Sequence, residues 1–353
     1  MEPDRTDGVE LMGYGYLVRV SRFILFLIVV TFLAACRKEQ SATQTREKIR
    51  VIFDTDANNE LDDQHALAYL LFNGGVFAVE GVTVNATRAG GPVEEQYREA
   101  YRVLQLCGEA GRINLLKGAD GTFRDIANTV DSTAFDGKEA VDFIIRRAHA
   151  GTDPLVVIAV GKLTNVALAA KRDPSILPRI RLVWLGSNYP RPGEYNQEND
   201  TSAVSYLLKS SIPFEMVTVR YASGTGTDAV RVTPEEIQQR MSGLGPRTNE
   251  GVEGRHGGTF HTFGDYSINL FGHIEMSGDP PSRALYDMAA VAIVKDSSLA
   301  QAVEIPSPVL IDGQWHDRPD NPRKITVWEN FDRDRIMEDF YQTMQDYVLA
   351  DSI

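Results

Sequence analysis

The run Val51-Ile52-Phe53-Asp54-Thr55-Asp56-Ala57-Asn58-Asn59-Glu60-Leu61-Asp62-Asp63-Gln64-His65 decides how this chain folds and where its chemistry lies. Its opening belongs to a strand expected over Ile49–Phe53, apolar enough to be buried on both faces in a parallel sheet. Its remainder packs five carboxylates, Asp54, Asp56, Glu60, Asp62 and Asp63, into ten residues. In open α/β sheets ligands bind beyond the carboxyl ends of the strands. Carboxylates crowded there repel one another unless a cation or hydrogen-bond donors offset them. Ligation by oxygen alone suits Mg²⁺ or Ca²⁺. An acidic turn capping a helix that begins near Asp62 is the simpler alternative, since negative charge favours a helix N-terminus. Capping accounts for Glu60 or Asp62 and leaves Asp54 and Asp56, at the strand end, unexplained.

Outward from this run, short apolar segments alternate with segments of helical period. Further strands are expected at Val76–Val84, Leu155–Val160, Ile180–Leu185, Phe214–Val219 and Ile325–Trp328. Helices are expected over about 62–73, 92–108, 137–150, 163–171, 200–209 and 283–294, with a last one over about 331–350. Thr233-Pro234-Glu235-Glu236 is a capping box with proline at the first helical position, and it starts one more. The alternation predicts an α/β fold, an open and mostly parallel central sheet flanked by helices. The Gly- and His-rich stretch 243–281 reads as a long loop or lid. No repeat, low-complexity tract or Pro/Ser-rich internal linker divides the chain.

Of 353 residues, 43% are hydrophobic and 24% charged, which excludes disordered and collagenous classes. The net charge of −13 excludes a typical nucleic-acid partner, which calls for a basic surface. Residues 23–35 are apolar, follow Arg19 and Arg22, and are shorter than the about 20 residues that a membrane span needs. A basic flank, a short apolar core and small residues mark a secretory signal. Leu33-Ala34-Ala35-Cys36 resembles a bacterial lipobox, which implies cleavage before Cys36 and a lipid on its sulfur. The expected division is therefore a signal peptide at 1–35, a polar tether at 36–47 and one catalytic-type domain at 48–353. Its expected place is the bacterial cell envelope, facing the periplasm or the exterior, with contact to the membrane only through the lipid on Cys36. With Cys36 as the anchor, Cys107 has no partner for a disulfide and reads as a small core residue.

The acidic run resembles the opening Asp-x-Asp-Pro-Gly-x-Asp-Asp of the calcium-dependent, inosine–uridine-preferring nucleoside hydrolases. Three later segments are similar to that family in the same order. They are Gly161-Lys162-Leu163-Thr164-Asn165, then Gly193-Glu194-Tyr195-Asn196 with Asp200 and Ala203, then Leu285-Tyr286-Asp287-Met288-Ala289. The resemblance implies a Rossmann-like core and hydrolysis of the N-glycosidic bond of ribonucleosides or related ribosides, in the setting of purine and pyrimidine salvage. It implies Ca²⁺ held by Asp56, Asp63, Asp287 and the backbone carbonyl of Thr164, with Asp54 and Asp62 in support. Asp62, Asn85, Glu194 and Asn196 would bind the substrate, and Asp56 would take the proton of the attacking water. The partner is then a small nucleoside or riboside, and the resemblance leaves room for a homo-oligomer.

Three departures bear on the chemistry. Five residues separate Asp56 from Asp62 where the family pattern has three, so Asn58, Asn59 or Glu60 is free to replace or add a ligand. Tyr286 stands where purine-accepting members carry an acidic His; a phenol, with a reference pKa of about 10, is a poorer acid, and His261, with His256 and His273, offers an alternative. The family's Gly-Asn after the second strand is not cleanly present, and Asn85 or Thr87-Arg88 stands nearby. Two other readings stay open: a calcium–sugar-binding lipoprotein without turnover, and a haloacid-dehalogenase-type phosphatase suggested by Asp54-Thr55-Asp56.

Overall fold

Strand Ile49–Thr55 (β1) lies inside an eight-stranded sheet, with its neighbours on both sides parallel to it. The computed structural model describes residues 47–350, so the apolar run 23–35 and Cys36 lie outside the described residues. The sheet contains Phe77–Val84 (β2), Leu115–Lys117 (β3), Leu155–Ala159 (β4), Ile180–Ser187 (β5), Phe214–Thr218 (β6), Gln301–Pro306 (β7) and Lys324–Glu329 (β8). Their spatial order is β7-β8-β6-β5-β4-β1-β2-β3. Only β7 runs antiparallel, paired with β8. All six expected strands are in this sheet, which confirms the α/β class.

Side chains along β1 alternate between two cores. Val51 and Phe53 join the layer that holds helices Asp62–Leu71, Val93–Leu106, Tyr286–Lys295 and Arg333–Gln345. Ile52 joins the opposite layer, with helices Lys138–His149, Thr164–Arg172 and Thr201–Lys209. Covering both faces removes the sheet from water and explains why its central strands are apolar throughout. Cys107 is a buried free thiol at the end of Val93–Leu106, in the core as expected. Among the described residues no helix is long and apolar enough to cross a membrane.

The chain leaves β1 toward β2 and β3 on one side, then crosses to β4 on the other. The carboxyl ends of β1 and β4 therefore flank a point where the strand order reverses, the place where open α/β sheets bind ligands. The stretch 243–281 differs from the expected loop. It contains the helix Phe263–Phe271, capped by the Thr262 hydroxyl accepting from Asp265 N, and a short ribbon pairing Val252–Glu253 with Thr259–Phe260. Phe263, Tyr266, Leu270 and Phe271 bury one face of that helix in the core, so the segment is packed rather than a free flap.

Candidate active site

Asp54 and Asp56 occupy the end of β1, and their surroundings part their roles. Asp54 is buried beneath the site, accepting from Thr83 Oγ1 at 2.6 Å, Asn165 Nδ2 at 2.8 Å and Asn85 Nδ2 at 3.3 Å. Burial pushes its pKa up to about 6 in spite of these donors. Asp56 instead lines a cavity of about 270 Å³, and its Oδ2 accepts from Thr87 Oγ1 at 2.6 Å. Glycine at 161 is required by this arrangement, because a Cβ there would stand 2.8 Å from Asp56 Oδ1.

Two helices point their N-termini into the same cavity. Asp62 and Asp63 are in the first turn of Asp62–Leu71, and Asp287 is in the first turn of Tyr286–Lys295. Carboxylate oxygens of these three lie within 4.8 Å of one another. Positive helix ends favour this placement, by about 0.3–1 kcal/mol for each exposed charge and more where partly buried. Desolvation is nevertheless the larger effect. It raises the pKa values of Asp56, Asp62 and Asp287, helped by the charges of their neighbours, and pushes Asp63 up to about 6. Thr55 donates to Asp63 Oδ1, and Asp63 and Asp287 share a hydrogen bond. Among the described residues no Lys or Arg forms an ion pair with any of these four. Hard oxygen donors, buried together without a counter-charge, fit a divalent cation, and the structure adds Asp62 to the set expected to supply it.

The facing wall comes from the ends of β5 and β6. Glu194 caps the helical turn Tyr195–Asn199, its Oε2 accepting from Gln197 N at 2.8 Å, and burial pushes its pKa up to about 7. Asn196 donates through Nδ2 to the carbonyls of Val160 at 2.7 Å and Leu185 at 3.2 Å, so its orientation is fixed. Its buried Oδ1 has no hydrogen-bond partner among the described residues. Glu194, Asn196, Asp56, Asp62, Asp63, Tyr286 and Asp287 thus come together around one cavity, as expected from the sequence.

Two expected side chains, those of Asn85 and His261, are placed elsewhere. Asn85 does not line the cavity; it is buried behind it, against Asp54. Thr164 starts its helix with its hydroxyl donating to Asp200 Oδ2 at 2.5 Å, a side-chain contact that does not bear on the role expected of its backbone carbonyl. His261 has Nδ1 3.0 Å from the Thr248 carbonyl and does not line the cavity, while His256 and His273 stack on each other at 4.6 Å. The helix and ribbon within 243–281 hold all three through local contacts. Conversely, Tyr221 and Arg283 line the cavity unforeseen. Tyr221 had a readable signal, since it follows shortly after an apolar strand; Arg283 had none. Asn59 and Glu60 also line it, so the longer loop after β1 does reach the site.

The sequence pattern of the inosine-uridine preferring nucleoside hydrolases matches residues 51–338. This chain belongs to that family. Membership sets aside the phosphatase reading. Among curated relatives, the pyrimidine-specific ribonucleoside hydrolase RihB of Escherichia coli is 29% identical over 136 residues, 36% of this chain and 40% of the relative. A Shigella boydii relative of the same description is also 29% identical over 136 residues, there 52% of its length. The match therefore spans about half, or less, of these nucleoside hydrolases. The plant nucleoside hydrolase PpNRh1 superposes with a TM-score of 0.66 at 17% identity, covering 85% of this chain and 99% of that one. A purine-preferring ribonucleoside hydrolase from Gardnerella vaginalis does so with 0.63 at 20% identity, covering 84% and 98%. These nucleoside hydrolases share the fold.

Proposed function

We propose that this chain hydrolyses the N-glycosidic bond of ribonucleosides or related ribosides with the help of Ca²⁺. The observation that carries this reading is the convergence of Asp56, Asp62, Asp63 and Asp287 with Glu194 and Asn196 around one cavity at the switch point of the sheet. Asp56, Asp63 and Asp287, with Asp62 beside them, would hold the cation. When bound, Ca²⁺ orients a 2′,3′-diol and lowers the pKa of a water molecule. Asp56 accepts that water's proton as its oxygen attacks the anomeric carbon, and the glycosidic bond opens through an oxocarbenium-like transition state. Glu194 and Asn196 hydrogen-bond the ribose hydroxyls, and Asn196 Oδ1 has the free acceptor capacity for this. Val160, Leu185 and Val219 give the same cavity an apolar side.

A calcium-dependent sugar-binding protein without turnover is the second reading. It draws on Tyr286, whose hydroxyl donates to Asp228 and not into the cavity, and on the histidines standing elsewhere. Assay of free ribose from uridine and inosine separates the two. Ribose release supports hydrolysis, whereas calcium-dependent binding without release supports the second reading. Export and lipid attachment at Cys36, residues 1–35 being removed, belong to the same proposal. Loss of membrane-fraction recovery in Cys36→Ser tests that part.

A further inference from the structure

Among the described residues that line the cavity, Arg283 carries the only positive charge. It belongs to a two-stranded ribbon, where Arg283 pairs with Val232 and Ala284 with Arg231, so its backbone is fixed. Its guanidinium forms an ion pair with Glu60, and the arginine side chain is only 17% exposed. Glu60 lies in the longer loop after β1 and is itself pinned: its carbonyl accepts from Arg255 Nη1 at 2.8 Å and from Gln64 Nε2 at 3.3 Å. Arg283 Nε is buried and has no hydrogen-bond partner among the described residues. A buried donor left unmatched is costly, and an acceptor brought to the guanidinium would offset that cost.

The neighbouring rings define what could approach this donor. Tyr221 and Tyr286 meet edge to face, ring centres 6.1 Å apart, and both line the same cavity. They form an aromatic side of the cavity that holds the carboxylates, suited to a planar ring with acceptor atoms on its edge. Tyr286 directs its proton to Asp228, so the charge that develops on a departing base is not met there.

Building on the hydrolase reading, we propose that Arg283, positioned by Glu60, is a further catalytic residue that hydrogen-bonds the leaving base and stabilises its negative charge. As the glycosidic bond breaks, its electron pair goes to the base nitrogen and spreads to ring carbonyl oxygens, which accept from the guanidinium. The water oxygen bonds to the anomeric carbon, and its proton goes to Asp56. The base takes a proton from solvent on release, and Asp56 returns its own to solvent, so riboside and water give ribose and neutral base. Arg283 transfers no proton. Bases with ring carbonyls, such as uracil and hypoxanthine, fit this device better than adenine.

The test compares Arg283→Met and Arg283→Lys with the wild-type chain, loaded with calcium, on uridine and on 4-nitrophenyl riboside, whose leaving group needs little help. Arg283→Met is expected to lose about 10²–10³-fold in kcat on uridine, the scale of one oxyanion donor, and only a few-fold on the nitrophenyl substrate. Arg283→Lys, or added guanidinium ion with Arg283→Met, should restore part of the uridine rate. Equal loss on both substrates, as from a collapsed site, or no loss on either, would overturn the role of Arg283 while leaving hydrolysis in place. A wild-type chain that releases ribose from neither substrate would overturn the hydrolase reading, and this inference with it.

Discussion

Tyr286 Oη donates to Asp228 Oδ1 across 3.1 Å, and the same carboxylate oxygen holds Arg231 Nη1 at 2.9 Å. The phenol beside Asp287 therefore faces an occupied acceptor. Burial, and then the charge of Asp228, raise its pKa above the ordinary value, which makes it a still weaker acid. Tyr286→Phe is expected to reduce kcat by less than about tenfold, on uridine and 4-nitrophenyl riboside alike, because the bond it removes anchors Asp228 and touches no reacting atom. A selective loss of 100-fold or more on uridine, in steady-state kinetics, would make Tyr286 the acid after all.

Asp63 separates the stability of the metal-free and loaded states. Its carboxylate adds repulsion to a buried group of four, so in chelator Asp63→Asn should unfold at the same temperature as wild type or higher. With calcium at about 100 times its dissociation constant, wild type should gain about 2.7 kcal/mol and the variant almost nothing. Thermal unfolding with and without calcium checks this. Equal stabilisation of both chains would remove Asp63 from the cation site.

Much of this arrangement was legible before the structure, and the reasons are physical. Strands β1, β2, β4, β5, β6 and β8 are apolar because helices or neighbouring strands cover them, and that pattern survives in sequence. The short edge strand Leu115–Lys117 and the exposed Gln301–Pro306, with its Gln, Glu and Pro, bury too little to leave one. Asp54 and Asp56 stood out because a strand end that carries charge into a sheet is costly without a purpose. Arg283 was illegible: a residue in a two-residue ribbon has no periodicity, and its meaning comes from Glu60, far away in sequence. The helix Phe263–Phe271 had both a cap and an apolar spacing, yet the glycines around it favour a loop reading.

His65 makes stability depend on pH. It is buried, with Nε2 2.6 Å from Ser267 Oγ and Nδ1 2.6 Å from the Leu61 carbonyl, and burial pulls its pKa down to about 4. The unfolded chain, with an ordinary pKa of about 6.5, takes up a proton in this window that the folded chain refuses. The contribution is therefore intact above pH of about 6.5 and is lost as the pH falls toward about 4. Between pH 7 and pH 5 the advantage of wild type over His65→Gln should shrink by about 2 kcal/mol. Urea denaturation at the two pH values measures it; an unchanged difference would show that His65 is not held neutral.

Asn165 fixes the floor of the site. Its Nδ2 donates to Asp54 Oδ1 at 2.8 Å and to the Val84 carbonyl at 3.2 Å, while Oδ1 accepts from Ala119 N at 2.9 Å. Asn165→Ala strands three buried polar groups and should cost about 2–4 kcal/mol in urea denaturation. A cost below about 0.5 kcal/mol would mean that water or a shifted neighbour replaces it.

The central claim is that four converging carboxylates hold the cation on which riboside hydrolysis depends. Its most direct measurement is the rate of ribose release from uridine by chelator-stripped protein as calcium is added back, for wild type beside Asp63→Ala. The account predicts negligible release without calcium, saturable recovery in wild type, and no recovery in Asp63→Ala at the same calcium concentrations. Full activity in the stripped protein, or equal recovery by the variant, would contradict it.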